Sequence, residues 1–253
     1  MTSANPASPL RLGMLTPSSN TVLEPMLSRM TAERSDITVH YSRFRVTEIA
    51  LSQAALGQFA FDGMVAAAEL LSHARMATIA WNGTSAAWMG FRQDEELCER
   101  IEAATGIPAT SSVLAFREAF RTLGLKRIGL VTPYTDDVEA RIAANWEAEG
   151  FPCTADRHLG LSDNYSFAEV GESRIATMVR ETAKDGCDAV AIVCTNMRGA
   201  VVAPALEREL GLPVLDSISV TLWASLRLAG ADPSTFGGWG CMFEAASPEG
   251  ARP

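Results

Sequence analysis

The sequence predicts an α/β fold of two pseudo-symmetric Rossmann-like lobes, each a mainly parallel sheet flanked by helices, with the active site in the cleft between them. Three observations carry this expectation. Short apolar runs that end in Thr, Ser, Gly or Pro alternate with longer amphipathic stretches along the chain. Such alternation is the pattern of βαβ units, whose parallel sheet is covered on both faces. Three short motifs also recur, in the same order, in the two halves of the sequence.

In chain order, strands are expected at 11–16, 37–44, 76–81, 107–110, 127–132, 152–157, 188–193 and 213–216, with a further candidate at 236–240. Helices are expected between them at 20–32, 53–74, 92–105, 112–123, 137–149, 166–185, 199–210 and 217–229. Sheets of this kind bind ligands at the carboxyl ends of their strands.

The repeat refines the architecture. Arg11-Leu-Gly-Met-Leu-Thr-Pro-Ser18 matches Arg127-Ile-Gly-Leu-Val-Thr-Pro-Tyr134 at an offset of 116. Ala80-Trp-Asn-Gly83-Thr84-Ser85 parallels Ala191-Ile-Val-Cys194-Thr195-Asn196 at 111, and Thr105-Gly-Ile-Pro108 parallels Leu210-Gly-Leu-Pro213 at 105. Two similar lobes related by an approximate two-fold axis follow. Because such folds exchange their last helix, the first lobe is expected at 1–112 plus 217–253 and the second at 113–216. Symmetry then sets Ser18, Ser19 and Asn20 against Tyr134 and Thr135, and Gly83, Thr84 and Ser85 against Cys194, Thr195 and Asn196.

The net charge of −9 argues against nucleic acid, whose partners carry a clustered basic face. Nothing in it points to an anionic membrane. An anionic substrate would meet an unfavourable long-range field, so its site must be local, built from backbone N–H groups and a few side chains. The opening MTSANPASPL lacks the charged and apolar regions of a signal peptide and reads as a tail, as does the closing SPEGARP. No apolar run is expected to span a membrane. Five cysteines, at 98, 153, 187, 194 and 241, show no metal-type spacing and suit reduced thiols in the cytoplasm.

Cys194 is the residue best placed for chemistry. It ends an apolar strand and opens a turn into a helix, near free N–H groups and the positive end of a dipole that favours a thiolate. A buried structural cysteine has the same local sequence. Thr84-Ser85 and Thr195-Asn196 each follow a strand and precede a helix, where they serve as caps, as an anion hole, or both. Pro17, Ser18, Ser19 and Asn20 follow the first strand, and Tyr134 takes the matching place in the second half with a phenol donor. Asn164 sits in a turn-like Asp163-Asn164-Tyr165 loop, and Arg198 reads either as a carboxylate grip or as a solvent-facing helix residue. His40, His73 and His158 stand in no motif, and Met and Trp spacing reads as core. No phosphate-loop or dinucleotide fingerprint occurs, so neither a cofactor nor a metal is expected.

Together, Pro17-Ser18-Ser19-Asn20-Thr21, Gly83-Thr84-Ser85, Tyr134 and Cys194-Thr195-Asn196 resemble the aspartate/glutamate racemase superfamily. Within it the resemblance is closest to the maleate isomerase and arylmalonate decarboxylase branch, and it runs from about Arg11 to Phe243. The resemblance implies an enzyme without a cofactor that acts on a small carboxylic acid. Asn20, Tyr134, Asn164 and Cys194 match residues that hold and transform the substrate in maleate isomerases, but the first of that group's two cysteines falls at Gly83. Arylmalonate decarboxylases resemble this chain in having glycine there, followed by Thr-Ser, and a single cysteine opposite. The leading expectation is therefore a decarboxylase-type lyase on a malonate-like or other small dicarboxylic acid. Thr84, Ser85, Tyr134 and the backbone around Cys194 and Thr195 would hold the enediolate, and Cys194 would protonate it. A dicarboxylate isomerase or racemase is the alternative, and a non-catalytic carboxylate-binding protein a third. The sequence leaves the oligomeric state open.

Overall fold

A computed structural model describes residues 9–245 of the protein. The two expected tails lie outside the described residues, apart from Pro9 and Leu10, where the first strand begins. The chain runs β1 (Leu10–Pro17), α1 (Leu23–Met30), β2 (Ile37–Phe44), α2 (Gln53–Gly57), α3 (Phe61–Ser72), β3 (Thr78–Trp81), α4 (Ala86–Met89), α5 (Phe91–Thr105) and β4 (Ala109–Ser111). It continues through α6 (Ser112–Leu123), β5 (Ile128–Val131), α7 (Asp136–Ala148), β6 (Cys153–Arg157), α8 (Glu172–Ala183), β7 (Ala189–Ile192), α9 (Gly199–Leu210), β8 (Val214–Asp216), α10 (Ser217–Leu228) and α11 (Cys241–Glu244).

The strands form two four-stranded parallel sheets with the same internal order, β2-β1-β3-β4 and β6-β5-β7-β8. Every residue of β3 and of β7 is buried, as expected of inner strands covered on both faces. In each sheet the connection from the first strand leads outward and the next crosses back to its other side. Loops after β1 and β3, and after β5 and β7, therefore diverge and leave a crevice at the strand ends.

The repeated motifs occupy equivalent places. Ser111 at the end of β4 caps α6, its Oγ accepting the Leu114 N–H at 3.1 Å. Asp216 at the end of β8 caps α10 in the same way, accepting from Ile218 at 2.8 Å and Ser219 at 3.2 Å. Helices α5 and α9 both stop at a left-handed glycine, Gly106 and Gly211, a conformation costly for other residues. The last long helix, α10, packs against α6, β3 and β4 as well as α9 and β8. Thr221 on α10 donates to Ser112 on α6 at 2.8 Å.

Several local expectations change. The 236–240 strand is absent: a 3₁₀ turn at Pro233–Phe236 leads into Gly238 and Gly240, whose φ values of 96° and 126° lie outside strand geometry. The single helix expected at 53–74 is two helices, broken at 58–60. That stretch, Gln53–Ser72, is long and apolar enough by composition to cross a membrane, contrary to the sequence expectation. Here it bends, and α3 buries Met64, Ala67, Ala68 and Leu71 in the core. The 166–185 helix begins only at Glu172, after a 3₁₀ turn over Ser166–Glu169.

Candidate active site

Strand ends from the two sheets meet around a small cavity of about 20 Å³, room for roughly one water molecule. Of the residues predicted from sequence, Pro17, Gly83, Thr84, Ser85, Tyr134, Asn164, Cys194 and Thr195 line it. The expected facing of the β3 and β7 loops is present, Thr195 Oγ1 donating to the Asn82 carbonyl at 3.2 Å beside Gly83, but the β1 and β5 loops are not set against each other as expected. The β1 loop meets the β7 loop: Asn20 Nδ2 donates to Thr195 Oγ1 at 3.2 Å, and the Thr21 N–H donates to Asn196 Oδ1 at 3.0 Å. The β3 loop meets the β5 loop, with Thr84 Oγ1 and Tyr134 OH hydrogen-bonded at 2.8 Å. A two-fold axis maps β1 onto β5 without bringing their loops into contact, so each loop finds the other kind.

The remaining predicted residues frame the cavity or turn from it. Asn20 is buried and caps α1, its Oδ1 accepting from Val22 and Leu23. Asn196 donates to the Asn164 carbonyl at 2.6 Å, while Asn164 donates to Ser19 Oγ at 2.7 Å. Ser18 and Ser19 donate to the Val46 carbonyl at 3.3 and 2.6 Å, tying down the segment after β2. Thr135 points outward to Asp137 Oδ1 at 2.6 Å, against expectation, because it starts α7 and its hydroxyl follows the helix rim. Arg198 donates to the Ala168 carbonyl and does not reach the cavity.

An apolar wall escaped sequence reasoning. Val46, Ile49, Phe59, Trp81 and Trp88 complete the lining. Aromatic rings run from Phe44 through Trp81, Phe59, Trp88 and Tyr134 to Phe167, with neighbouring centroids 5.0–6.5 Å apart. At helical spacing such residues read as core. The available signal was Trp81 itself, two residues before a glycine at a strand end. Its indole lies across Gly83, where an added Cβ would come within 2.0 Å of the Trp81 ring. Trp81 Nε1 also donates to Ser85 Oγ at 3.3 Å, which fixes the ring. Among the described residues, no Arg, Lys or His lines the cavity.

Cys194 is buried, and burial pushes its thiol up to about 12. The N–H of Asn196, 3.4 Å from Sγ, and the Tyr134 hydroxyl work against that rise; the charge of Asp216 adds to it. Burial, with the neighbouring Cys194, raises the Tyr134 phenol well above its ordinary value. The site therefore holds a neutral thiol and a neutral phenol among short hydroxyl and amide donors, with an apolar aromatic wall beside them.

Two matched parallel sheets, with a buried thiol at the strand ends of one and a glycine sharing its cavity at the strand ends of the other, fit the class of α/β enzymes that holds the arylmalonate decarboxylases and maleate isomerases. The arylmalonate decarboxylase family profile matches residues 22–243, and the chain belongs to that family. It is 32% identical over 200 residues to the arylmalonate decarboxylase of Bordetella bronchiseptica, covering 75% of this chain and 83% of that protein. To the maleate isomerase of Pseudomonas putida it is 26% identical over 239 residues, covering 88% and 93%. The crystal structure of the maleate isomerase Iso from Pseudomonas putida S16 superposes with a TM-score of 0.84 at 25% identity, covering 94% of this chain and 99% of that one. A crystal structure of arylmalonate decarboxylase does so at 0.75, also at 25% identity, covering 93% and 100%.

Proposed function

We propose that the protein is a cofactor-independent decarboxylase of malonic acids that carry an apolar or aromatic substituent. The observation that carries this reading is the one-sidedness of the cavity: a protonated thiol on one face, and on the other a glycine covered by Trp81. One acid and no second base suit protonation of a single face of a carbanion.

The chemistry follows from the lining. One carboxylate of the substrate would accept hydrogen bonds from Thr84, Ser85, Thr195 and the nearby backbone. Its partner would lie against the aromatic wall, where no cation offsets the loss of water, and a charge so placed is destabilised. The carbon–carbon bond to that group breaks, carbon dioxide leaves, and the electron pair passes into the retained carboxylate as an enediolate. Tyr134 and the hydroxyls then hold two developing negative oxygens, and each such donor is worth about 2.7–4 kcal/mol. The Cys194 thiol delivers its proton to the α-carbon, and water restores it. The higher identity to a decarboxylase than to the isomerases supports the same direction.

Proton NMR in heavy water, with maleate, aspartate, methylmalonate and phenylmalonate derivatives, tests the reading. Loss of carbon dioxide from the phenyl compound with one deuterium placed stereospecifically is expected. Conversion of maleate without such loss would replace the reading by an isomerase, with Asn20 and Asn164 as the residues to pursue.

A further inference from the structure

Cys194 opens the turn into α9, and a free helix N-terminus at that distance ordinarily draws a thiol toward thiolate. A proton donor needs the opposite. We propose that the carboxylate of Asp216 takes up the positive end of α9, so that the helix following Cys194 cannot ionise the thiol and the acid stays protonated for reaction. Asp216 is thus a positioning residue: it touches no substrate and acts through Cys194. The inference rests on Cys194 being the proton donor of the proposed decarboxylation.

The geometry is specific. In the β7–β8 register Asp216 pairs with Ile192, two residues before Cys194. Its side chain is fully buried, and Oδ1 accepts from the first N–H groups of α10. Oδ2 lies against the first residue of α9, so close that a Cβ on Gly199 would stand 2.3 Å from it, and like the oxygens of Asp94 it is buried without a hydrogen-bond partner among the described residues. Two helix N-termini therefore converge on one carboxyl group, which is ionised in the alkaline range where the thiol titrates. The groups facing Cys194 are Tyr134 from the β5–α7 loop, the N–H groups of Asn196 and Met197, and Asp216; Glu139 on α7 stands behind Tyr134. Around Asp216 stand the N–H groups of residues 217–219 and Ala200. Of these, Asp216 is the group that adds to the rise of the Cys194 thiol, second only to burial in that direction.

The repeat supplies an internal control. In the first half, Ser111 occupies the place of Asp216, and Asp94 on α5 occupies that of Gly199, both at an offset of 105. The carboxyl there comes from the helix instead of the strand end. Neither of its oxygens has a hydrogen-bond partner among the described residues, and no thiol follows β3. If the buried carboxyl were only a structural filler, removing either would have similar consequences.

The test is ultraviolet titration of the Cys194 thiolate, read as the difference between each protein and the same protein carrying Cys194→Ala. It needs no substrate, so its failure is separate from failure of the decarboxylase reading. Asp216→Asn and Asp216→Ser, the second copying the Ser111 cap in case the first folds poorly, are expected to bring the thiolate to lower pH. At a fixed pH the thiolate fraction should rise about tenfold, the change that one pKa unit makes. Asp94→Asn is expected to leave the titration in place. Titrations of both Asp216 variants that coincide with the parent, or an equal shift in Asp94→Asn, overturn the inference.

Discussion

The phenol of Tyr134 and the hydroxyl of Thr84 meet at 2.8 Å across the boundary between the two sheets. Both are buried, and either oxygen can donate. With the phenol held far above its ordinary range, the pair is a neutral donor couple that can turn toward an oxyanion without carrying charge into the cavity. It also links the two halves beside the cavity.

Tyr134→Phe removes one of these donors with little change in shape. Turnover of a phenyl-substituted malonate is expected to fall about 10²–10³-fold in kcat, the usual cost of one oxyanion donor. An unchanged kcat with a raised KM would move Tyr134 from transition-state stabilisation to simple binding.

Cys194→Ala is expected to lower turnover by about 10²–10⁴-fold, the range for loss of a general acid. The fold should persist, because the variant deletes one small buried atom and leaves the Asn20–Thr195 and Thr21–Asn196 bonds untouched. Circular dichroism and carbon dioxide release check the two halves of the prediction. Near-full turnover would remove Cys194 from the mechanism.

Gly83→Cys alone meets the Trp81 ring, which Phe44, Phe59 and Ser85 hold in place. Overpacking of this kind costs about 1–3 kcal/mol, or about 2–4 °C of Tm for each kcal/mol in a chain of this size. Trp81→Leu in the same chain is expected to recover most of that loss. Only the double variant leaves room for a second working thiol, so only it should exchange the α-proton of a product acid on both faces, followed by chiral chromatography in heavy water. Exchange by the single variant would show that Trp81 does not guard this face.

Burial pushes Asp94, Asp216 and Glu139 each up to about 7. A carboxyl with a raised folded-state pKa favours folding at low pH and loses that contribution as pH climbs from its unfolded value to its folded one. Stability should therefore fall between about pH 4 and about pH 7, then level off. Asp94, fully buried on α5 and raised by burial against the opposing effect of Ser111, is the cleanest probe. In Asp94→Asn the difference between urea midpoints at about pH 5 and about pH 8 should narrow. A difference equal to the parent's would place the pH sensitivity elsewhere.

The repeat made the two sheets, their matching strand orders and the thiol opposite a glycine legible in the sequence, because Arg11–Ser18 and Arg127–Tyr134 carry the same strand and turn chemistry. What it hid was contact. Equivalence of β1 and β5 does not say that the β1 loop touches β7, so Asn20 was set against Tyr134 instead of Thr195. Thr135 and Arg198 have suitable chemistry at suitable positions, yet each is spent on a local partner. The aromatic wall was illegible for a different reason: Phe59 lies in the break of what reads as one apolar helix, and Trp81 and Trp88 look like ordinary core.

Helix α10 comes last among the long helices but lies on α6, β3 and β4, far earlier in the chain. During synthesis on the ribosome, β1 to β4 emerge well before the helix that covers them. A nascent first sheet thus waits with an uncovered apolar face until more than a hundred further residues are made. Maturation is therefore tied to release of nearly the whole polypeptide, and premature termination shortly before residue 217 would yield a product with both sheets but without the helix that packs on α6, β3 and β4 as well as on α9 and β8.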